Sequence, residues 1–195
     1  MKRLNRIWKY YFAGTFVFVV VLTLTGFLLG SQLRNRLNAQ LKEDVLLLAK
    51  VIARTIPDTP RSDVLVAFCR EYKELTGIRI TLIERGGRVQ SDSDMSPPPT
   101  DDHANRPEVQ AAIREGAGTS IRYSGTLNMD MLYVALDVKE RGLILRLSMP
   151  MTQVRRAENQ VMAIFTLTLF LLPAFAAGIY FLLVRRLSRG PERFS

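Results

Sequence analysis

Two stretches of the chain carry no charge. YYFAGTFVFVVVLTLTGFLLG runs from Tyr10 to Gly30, and VMAIFTLTLFLLPAFAAGIYFLLV runs from Val161 to Val184. Each exceeds the ~20 residues that a helix rising about 1.5 Å per residue needs to cross the hydrocarbon core of a bilayer. Buried helices of soluble proteins are shorter and interrupted by polar residues, so the pattern predicts two membrane helices, 10–30 and 161–184. A signal peptide fits the first run less well. Its apolar core is longer than the roughly 7–15 residues of such segments, and LLGSQ is a poor cleavage site.

Between the two runs the pattern becomes amphipathic. LNAQLKEDVLLLAKVIART (Leu37–Thr55) has no Gly or Pro, and nothing before it breaks a helix, so the first membrane helix is predicted to continue outside as a rod of about 70 Å from Tyr10 to Ile56. Leu37, Leu41, Leu48 and Ile52 form one stripe, while Val45 to Leu48 point in every direction around the axis. A helix apolar all round must be covered all round. One side can pack on its own domain and the other on a second copy, which predicts a homodimer with Leu41, Leu48 and Ile52 at the seam. A helix wholly buried in one domain is the alternative. After Ile56-Pro57, a second helix is expected with Thr59 as N-cap, Pro60 at its first position and Gly77 as its stop. Val64, Leu65, Phe68, Tyr72 and Leu75 would share its buried face.

The period then changes to two. IRITLIE (78–84) alternates Ile78, Ile80 and Leu82 against Arg79, Thr81 and Ile83, and RGG turns it back into RVQSDS. A Pro-rich loop and HANRPEVQAAIREG (103–116) follow. Pro107 at a first helical position, Ala111, Ala112 and Ile113 inside, and Gly116 as stop make that stretch a short helix. Arg106 and Glu108 flank Pro107 and are expected to fix the helix entrance by pairing with neighbours, so that Arg106→Ala would lower the melting temperature of the outer domain. Three strand-like runs close the domain: TSIRYS (119–124), DMLYVALDV (130–138) and LILRLSMP (143–150). The fold class is α+β, a five-stranded antiparallel sheet with helices on its faces. The expected organisation is a basic tail 1–9, a membrane helix 10–30, an outer domain 31–160, a membrane helix 161–184 and a tail 185–195.

Charge sharpens the orientation. The net charge of +9 resolves into plus four on the N-terminal tail, plus two on residues 31–160 and plus three after Val184. The excess lies beside the apolar runs, where the positive-inside rule puts both termini in the cytoplasm and residues 31–160 outside. A basic patch for nucleic acid is therefore not the reading. The one cysteine, Cys69, excludes an intrachain disulfide and reads as a buried thiol, with a link to a second copy as the alternative.

No catalytic constellation is present: there is no G-x-S-x-G, Gly-rich phosphate loop, H-E-x-x-H or cysteine pair. No cofactor is implied. Asp92, Asp94, Asp101, Asp102 and His103, the only histidine, could hold a divalent cation through carboxylate oxygens, but they lack the spacing of a calcium loop. A solvated acidic loop is favoured, with Asp101 and Asp102 near the positive end of the following helix. The strands place Arg122 and Ser124, Tyr133 and Asp137, and Arg146 and Ser148 where one face should be dry. These line either a polar pocket facing the short helix or the solvated face of the sheet, and the solvated face is favoured. In the second membrane helix, Ala174 and Gly178 stand four apart just after Pro173, a spacing that allows close helix approach and a kink.

Several short motifs occur in a fixed order. Asp92-Ser93 ends a hairpin, and His103, Arg106, Pro107 and Glu108 form H-x-x-R-P-E. Arg122 and Ser124 form R-x-S, and Leu132, Tyr133, Val134 and Ala135 form L-Y-V-A. Together they resemble the extracytoplasmic sensor of phosphate-regulon-type sensor histidine kinases. The resemblance implies a PAS-like domain between two membrane helices, a parallel dimer in the bacterial inner membrane, and a cytoplasmic relay domain and kinase acting on a response regulator. The chain stops at RRLSRGPERFS, similar to the opening of a relay domain, without the phospho-accepting helix or the ATP-binding domain. The expectation is the input and transmission part of such a receptor, not itself an enzyme, with His103, Arg106, Arg122, Ser124 and Tyr133 as candidate ligand residues. For His103 a structural role is expected, with pH sensing as its functional option. The alternatives are a stand-alone membrane protein that pairs with a full-length kinase or another partner, and a membrane-anchored hydrolase resting only on the Asp/His loop.

Overall fold

In the computed structural model, residues 2–59, 61–95, 98, 102–125 and 127–187 are described. The first helix, α1, runs unbroken from Lys2 to Ala53, and the last, α4, from Thr152 to Leu187. The chain divides into two compact units: residues up to Asn35 with those from Arg156 on, and Arg36–Arg155.

In the first unit, α1 and α4 turn large apolar side chains outward, including Phe16, Leu24 and Phe27 on α1 and Phe170, Phe175 and Phe181 on α4. Each helix carries a stretch long and apolar enough to cross a bilayer, within Phe12–Ala53 and at Asn159–Leu182. Four threonines of these stretches satisfy their hydroxyls within their own helix. The hydroxyls of Thr23, Thr25, Thr166 and Thr168 each donate to the carbonyl four residues earlier at 2.8 Å. The two helices approach at Gly26, where an added Cβ would sit 2.9 Å from the Phe165 ring, and at Gly30, where one would sit 3.6 Å from the Met162 sulfur. Gly26 and Gly30 form a small-xxx-small pair that the sequence reading overlooked. Ala174 and Gly178 are exposed, and a Cβ at Gly178 would meet nothing within 4 Å. Pro173 lies inside α4 without ending it, half-buried.

The second unit is built on an antiparallel sheet. Its strands are β1 (Arg79–Glu84), β2 (Val89–Asp92), β3 (Ala117–Ser124), β4 (Met129–Val138) and β5 (Leu143–Pro150), in the order β2-β1-β5-β4-β3. Alternation along the strands gives the sheet two faces. On one face Ile80, Leu82, Leu132, Val134, Leu145 and Leu147 pack with Val45, Ala49 and Ile52 of α1, with Ile56, and with Leu65, Phe68 and Cys69 of α2 (Ser62–Thr76). Helix α3 (Pro107–Glu115) covers the other face on its way from edge strand β2 to edge strand β3. There Val109 and Ala112 meet Ile83, Ala135 and Ile144 in a second, smaller cluster.

Several local expectations change. Helix α2 starts at Ser62 with Arg61 as N-cap, two residues later than a Thr59 cap implies. The Thr59 hydroxyl instead accepts from the Arg61 N–H at 3.3 Å, and Arg61 pairs with Asp63; Pro60 lies outside the described residues. Leu75, at the edge of the apolar arc, is exposed, and Cys69 takes its place in the core. Ile113 of α3 also turns outward, while Glu108 and Val109 are buried. The stop signals fit: Gly77 and Gly116 are left-handed, and their N–H groups donate to Lys73 and Ala112. On α1, Ile52 is fully buried in its own domain and Leu41 and Leu48 are half-buried against that core, so the outward side presents Leu47 and Val51, 64% and 56% exposed. Cys69 is a buried free thiol whose pKa burial pushes up to about 11.

Candidate functional site

The α3 face of the sheet owes its polar character to strand register. Ser120 stands opposite Tyr133, Tyr133 opposite Ser148, and Ser148 opposite Arg79, so four strands contribute to one row. In the adjoining row Gly118 faces Ala135, Ala135 faces Arg146, Arg146 faces Thr81, and Thr81 faces Asp92. Helix α3 can cross these rows because Gly118 has no side chain. A Cβ there would run into the Glu108 carbonyl oxygen and lie 2.6 Å from the Ala111 Cβ.

Glu108, in the first turn of α3, is completely buried and gathers the arginines beneath it. Its carboxylate accepts from Arg146 Nε at 2.9 Å, Arg122 Nη2 at 3.3 Å and the Ser120 hydroxyl at 2.7 Å. Burial works to raise the Glu108 pKa, but the Ser120 bond and the Arg146 and Arg122 charges outweigh it, so the carboxyl lies below its ordinary 4.5. Burial lowers the Arg146 pKa against the pull of Glu108, and a guanidinium so placed remains a cation at neutral pH. Arg122 and Arg146 both lie over the Tyr133 ring, at 4.3 and 4.4 Å from its centre.

A second knot closes the β2 edge. Buried Asp92 accepts from Arg79 Nη2 at 2.9 Å, from the Thr81 hydroxyl at 2.9 Å and from the Asp94 N–H at 2.8 Å. The Ser93 hydroxyl accepts from the Ile80 N–H at 3.0 Å and donates to Asp94 at 2.9 Å. Asp94 pairs with Lys73 at 2.8 Å; burial raises its pKa, and Lys73 and Ser93 bring it below the ordinary value. Asp92 and Asp94 thus serve as counterions within the domain. Asp102 is exposed and accepts from the Ala104 N–H at 2.7 Å, and Asp101 lies outside the described residues. Among the described residues no group of three or more His, Cys, Asp or Glu side chains is placed to hold a metal ion.

Between these knots lies a cavity of about 400 Å³. All five candidate residues line it: His103, Arg106, Arg122, Ser124 and Tyr133. Arg79, Asp94, Tyr123, Arg146 and Ser148 add to its polar wall, with the Asp94 carboxylate held by Lys73, and Met95, Leu127 and Met131 give it an apolar side. The favoured expectation of a solvated face therefore gives way to a pocket beside the start of α3, bordered there by His103 and Arg106. His103 is buried, and its N–H donates to the Gly87 carbonyl at 2.9 Å, tying that loop to the β1–β2 turn. The expected pairing of both Arg106 and Glu108 with neighbours holds for Glu108 only. Arg106 forms no ion pair among the described residues, and its Nε is buried without a hydrogen-bond partner there. The charges do not cancel. Five cations (Arg79, Arg106, Arg122, Arg146 and Lys73) face three carboxylates (Asp92, Asp94 and Glu108), which leaves two positive charges. The sequence reading passed over Arg79 and did not identify Arg122 and Arg146 as the partners of Glu108, although the shared parity of Arg79, Arg122 and Arg146 on their strands was a signal for both.

No family model matches the chain, and no curated protein matches it. Among solved structures it is similar to the extracellular domain of the "putative histidine kinase rpHK1S-Z16", with a TM-score of 0.37 and 21% identity. The match covers 46% of this chain and 37% of that one.

Proposed function

We propose that this chain is the membrane-bound sensing and transmission module of a two-component sensor histidine kinase. In this reading residues 36–155 form a PAS-like domain outside the bacterial inner membrane, and α1 and α4 carry its state across. Catalysis belongs to a cytoplasmic kinase core acting on a response regulator. The motif order in the sequence and the helical crossover between the two sheet edges support the assignment.

The observation that carries the transmission step is the short covalent path from the cavity to α4. Met131 and Ser148 line the cavity, and Met131 stands opposite Pro150, the last residue of β5. Met151 is buried in the core, and its N–H donates to the Asp130 carbonyl at 2.9 Å. Thr152 then begins α4. In this reading a change in the cavity that shifts β5 reaches α4 through Met151. Helix shifts of about 1–2 Å are sufficient in such devices. A second copy would pack on the Leu47–Val51 side of α1.

Two measurements test this. Single cysteines along α1 in native membranes should cross-link between copies at Leu47 and Val51 but not at Ala49; a pattern without helical periodicity would remove the dimer. Joined through α4 to a kinase core of known output, the chain should place that output under the control of its outer domain. Two glycines inserted after Met151 should uncouple it, and an output indifferent to both the outer domain and the insertion would overturn the sensor reading.

A further inference from the structure

We propose that the cavity beside the start of α3 binds a small organic anion. Its oxyanion group, a carboxylate or a phosphate, would be held by Arg106 and Arg122, and its short apolar part would lie against Met95, Leu127 and Met131. The inference deepens the sensing reading and rests on it for what the binding signals, though not for the binding itself.

Four features point to this class. The first is uncompensated charge. Glu108 alone balances Arg122 and Arg146, and Arg106 has no carboxylate partner among the described residues. Two positive charges therefore remain around a partly enclosed space, where an anion is attracted more strongly than in water. The second is donor geometry. The Nε atoms of Arg106 and Arg122 are both buried without hydrogen-bond partners in the described structure, and both side chains line the cavity. Guanidinium groups match the two oxygens of a carboxylate or phosphate in a bidentate fashion. The third is preorganisation. Arg146 is 5% exposed and pinned by Glu108, and with Arg122 it is stacked on Tyr133, so part of the cationic wall is fixed before any ligand arrives. The fourth is size and lining. A volume of about 400 Å³ falls in the range of small-molecule sites, and the apolar side favours an organic molecule over a bare inorganic ion.

The alternatives fit less well. A metal cation would enter a net positive site whose carboxylates are already engaged with Arg79, Lys73, Arg122 and Arg146. A neutral ligand would leave the excess charge uncompensated.

The test is direct binding to the whole chain in lipid nanodiscs, read by calorimetry and by the melting temperature of the outer domain. The probes are succinate, butyrate, glycerol 3-phosphate, inorganic phosphate and the uncharged succinamide. At least one organic anion should bind saturably, raise the melting temperature and weaken with added salt. The carboxylates and the phosphate ester form separate arms, so the preferred head group is read at once. Arg106→Gln should weaken that binding by about tenfold or more, the loss expected for a charge-assisted hydrogen bond, with little change in the melting temperature without ligand. Arg106→Lys should fall between. Binding by none of the organic anions, equal binding of succinamide, inorganic phosphate equal to its ester, or an affinity unmoved by Arg106→Gln would each overturn the proposal. A kinase fusion that signals without anion binding also defeats this inference alone, whereas intact binding with an unresponsive kinase defeats only the sensor reading.

Discussion

The two faces of the sheet in the outer domain are made by the same strands, yet they follow different rules. Toward α1 and α2 the side chains of Ile80, Leu82, Leu132, Val134, Leu145 and Leu147 interdigitate with apolar helix residues, and none exceeds 1% exposure. Toward α3 the residues one position along are Arg79, Thr81, Tyr133, Arg146 and Ser148; all but Thr81 line the cavity, where Arg106 and Arg122 bring the buried or half-buried guanidiniums to four. A period of two lets one strand serve both purposes, because moving one residue along the chain moves the side chain to the opposite face. The apolar face holds the domain together without specifying anything polar. The other face carries charges whose burial is tolerable only because Glu108 and Asp92 are built in as counterions.

That contrast is broken most severely at Glu108. Glu108→Ala leaves Arg146 buried opposite no carboxylate, and we expect a loss of about 3–5 kcal/mol in the stability of the outer domain. Chemical denaturation of the nanodisc-embedded chain, followed by fluorescence, would measure it. On the apolar face, Leu147→Ala opens a cavity and should cost about 2–5 kcal/mol. The two variants part on a second readout: Leu147→Ala should keep anion affinity in the fraction that is folded, whereas Glu108→Ala should change it by freeing Arg122 and Arg146. Equal behaviour in both readouts would mean that the faces are not separate in function.

The apolar face was also the more legible in the sequence. Alternation over Ile78, Ile80 and Leu82 and over LILRLSMP located β1 to within a residue and β5 at both ends, because burial of one face shows directly as a period. Left-handed Gly77 and Gly116 marked the ends of α2 and α3 for an equally local reason. The α3 face was harder to read. Polar residues on a strand usually face water unless a helix crosses the sheet above them. That crossing depends on Gly118 lying against Glu108 and Ala111, a contact between elements that no local pattern announces. His103 and Arg106 were singled out through motif order, and Arg122, Ser124 and Tyr133 also through their polar positions on the strands, whereas Asp92 was placed in an acidic loop and Glu108 at the helix entrance with its partners unnamed. On α1 the apolar stripe was visible, but which side the domain covers is decided by packing, and Ile52 proved to face inward.

Acid should weaken the α3 face selectively. The Glu108 carboxyl lies below 4.5 in the folded domain and Asp94 below its ordinary 3.8, so both favour the folded state as anions. A group with a depressed folded pKa contributes its stabilisation in full above the unfolded value and loses it as pH falls through the folded one. Stability is therefore expected to change little from pH 7 to about 5 on account of these groups and to decline below about 4.5. Glu108→Gln should flatten part of that decline, measured as melting temperature against pH, while Leu147→Ala should shift the whole curve down without changing its acid slope. A slope unchanged by Glu108→Gln would show that its ionic contacts contribute nothing to the pH response.

The smallest expected effect is at Arg106, and it sharpens the comparison most. As the residue before Pro107 it would be expected to anchor the start of α3, so that its loss destabilises the domain. Arg106 nevertheless caps α3 with no side-chain hydrogen bond and pairs with no carboxylate among the described residues. The α3 end is held by other means: the His103 N–H bonds to Gly87, Gln110 Nε2 donates to the Ala104 carbonyl at 2.6 Å, and Glu108 binds the arginines below. Arg106→Ala should therefore change stability by no more than about 0.5 kcal/mol. Removal of one of several like charges from the cavity argues for a change on the stabilising side. A fall in melting temperature comparable to that of Leu147→Ala would instead make Arg106 part of the scaffold. The boundary between the residues that hold this face together and those left over for a ligand would then have to be redrawn.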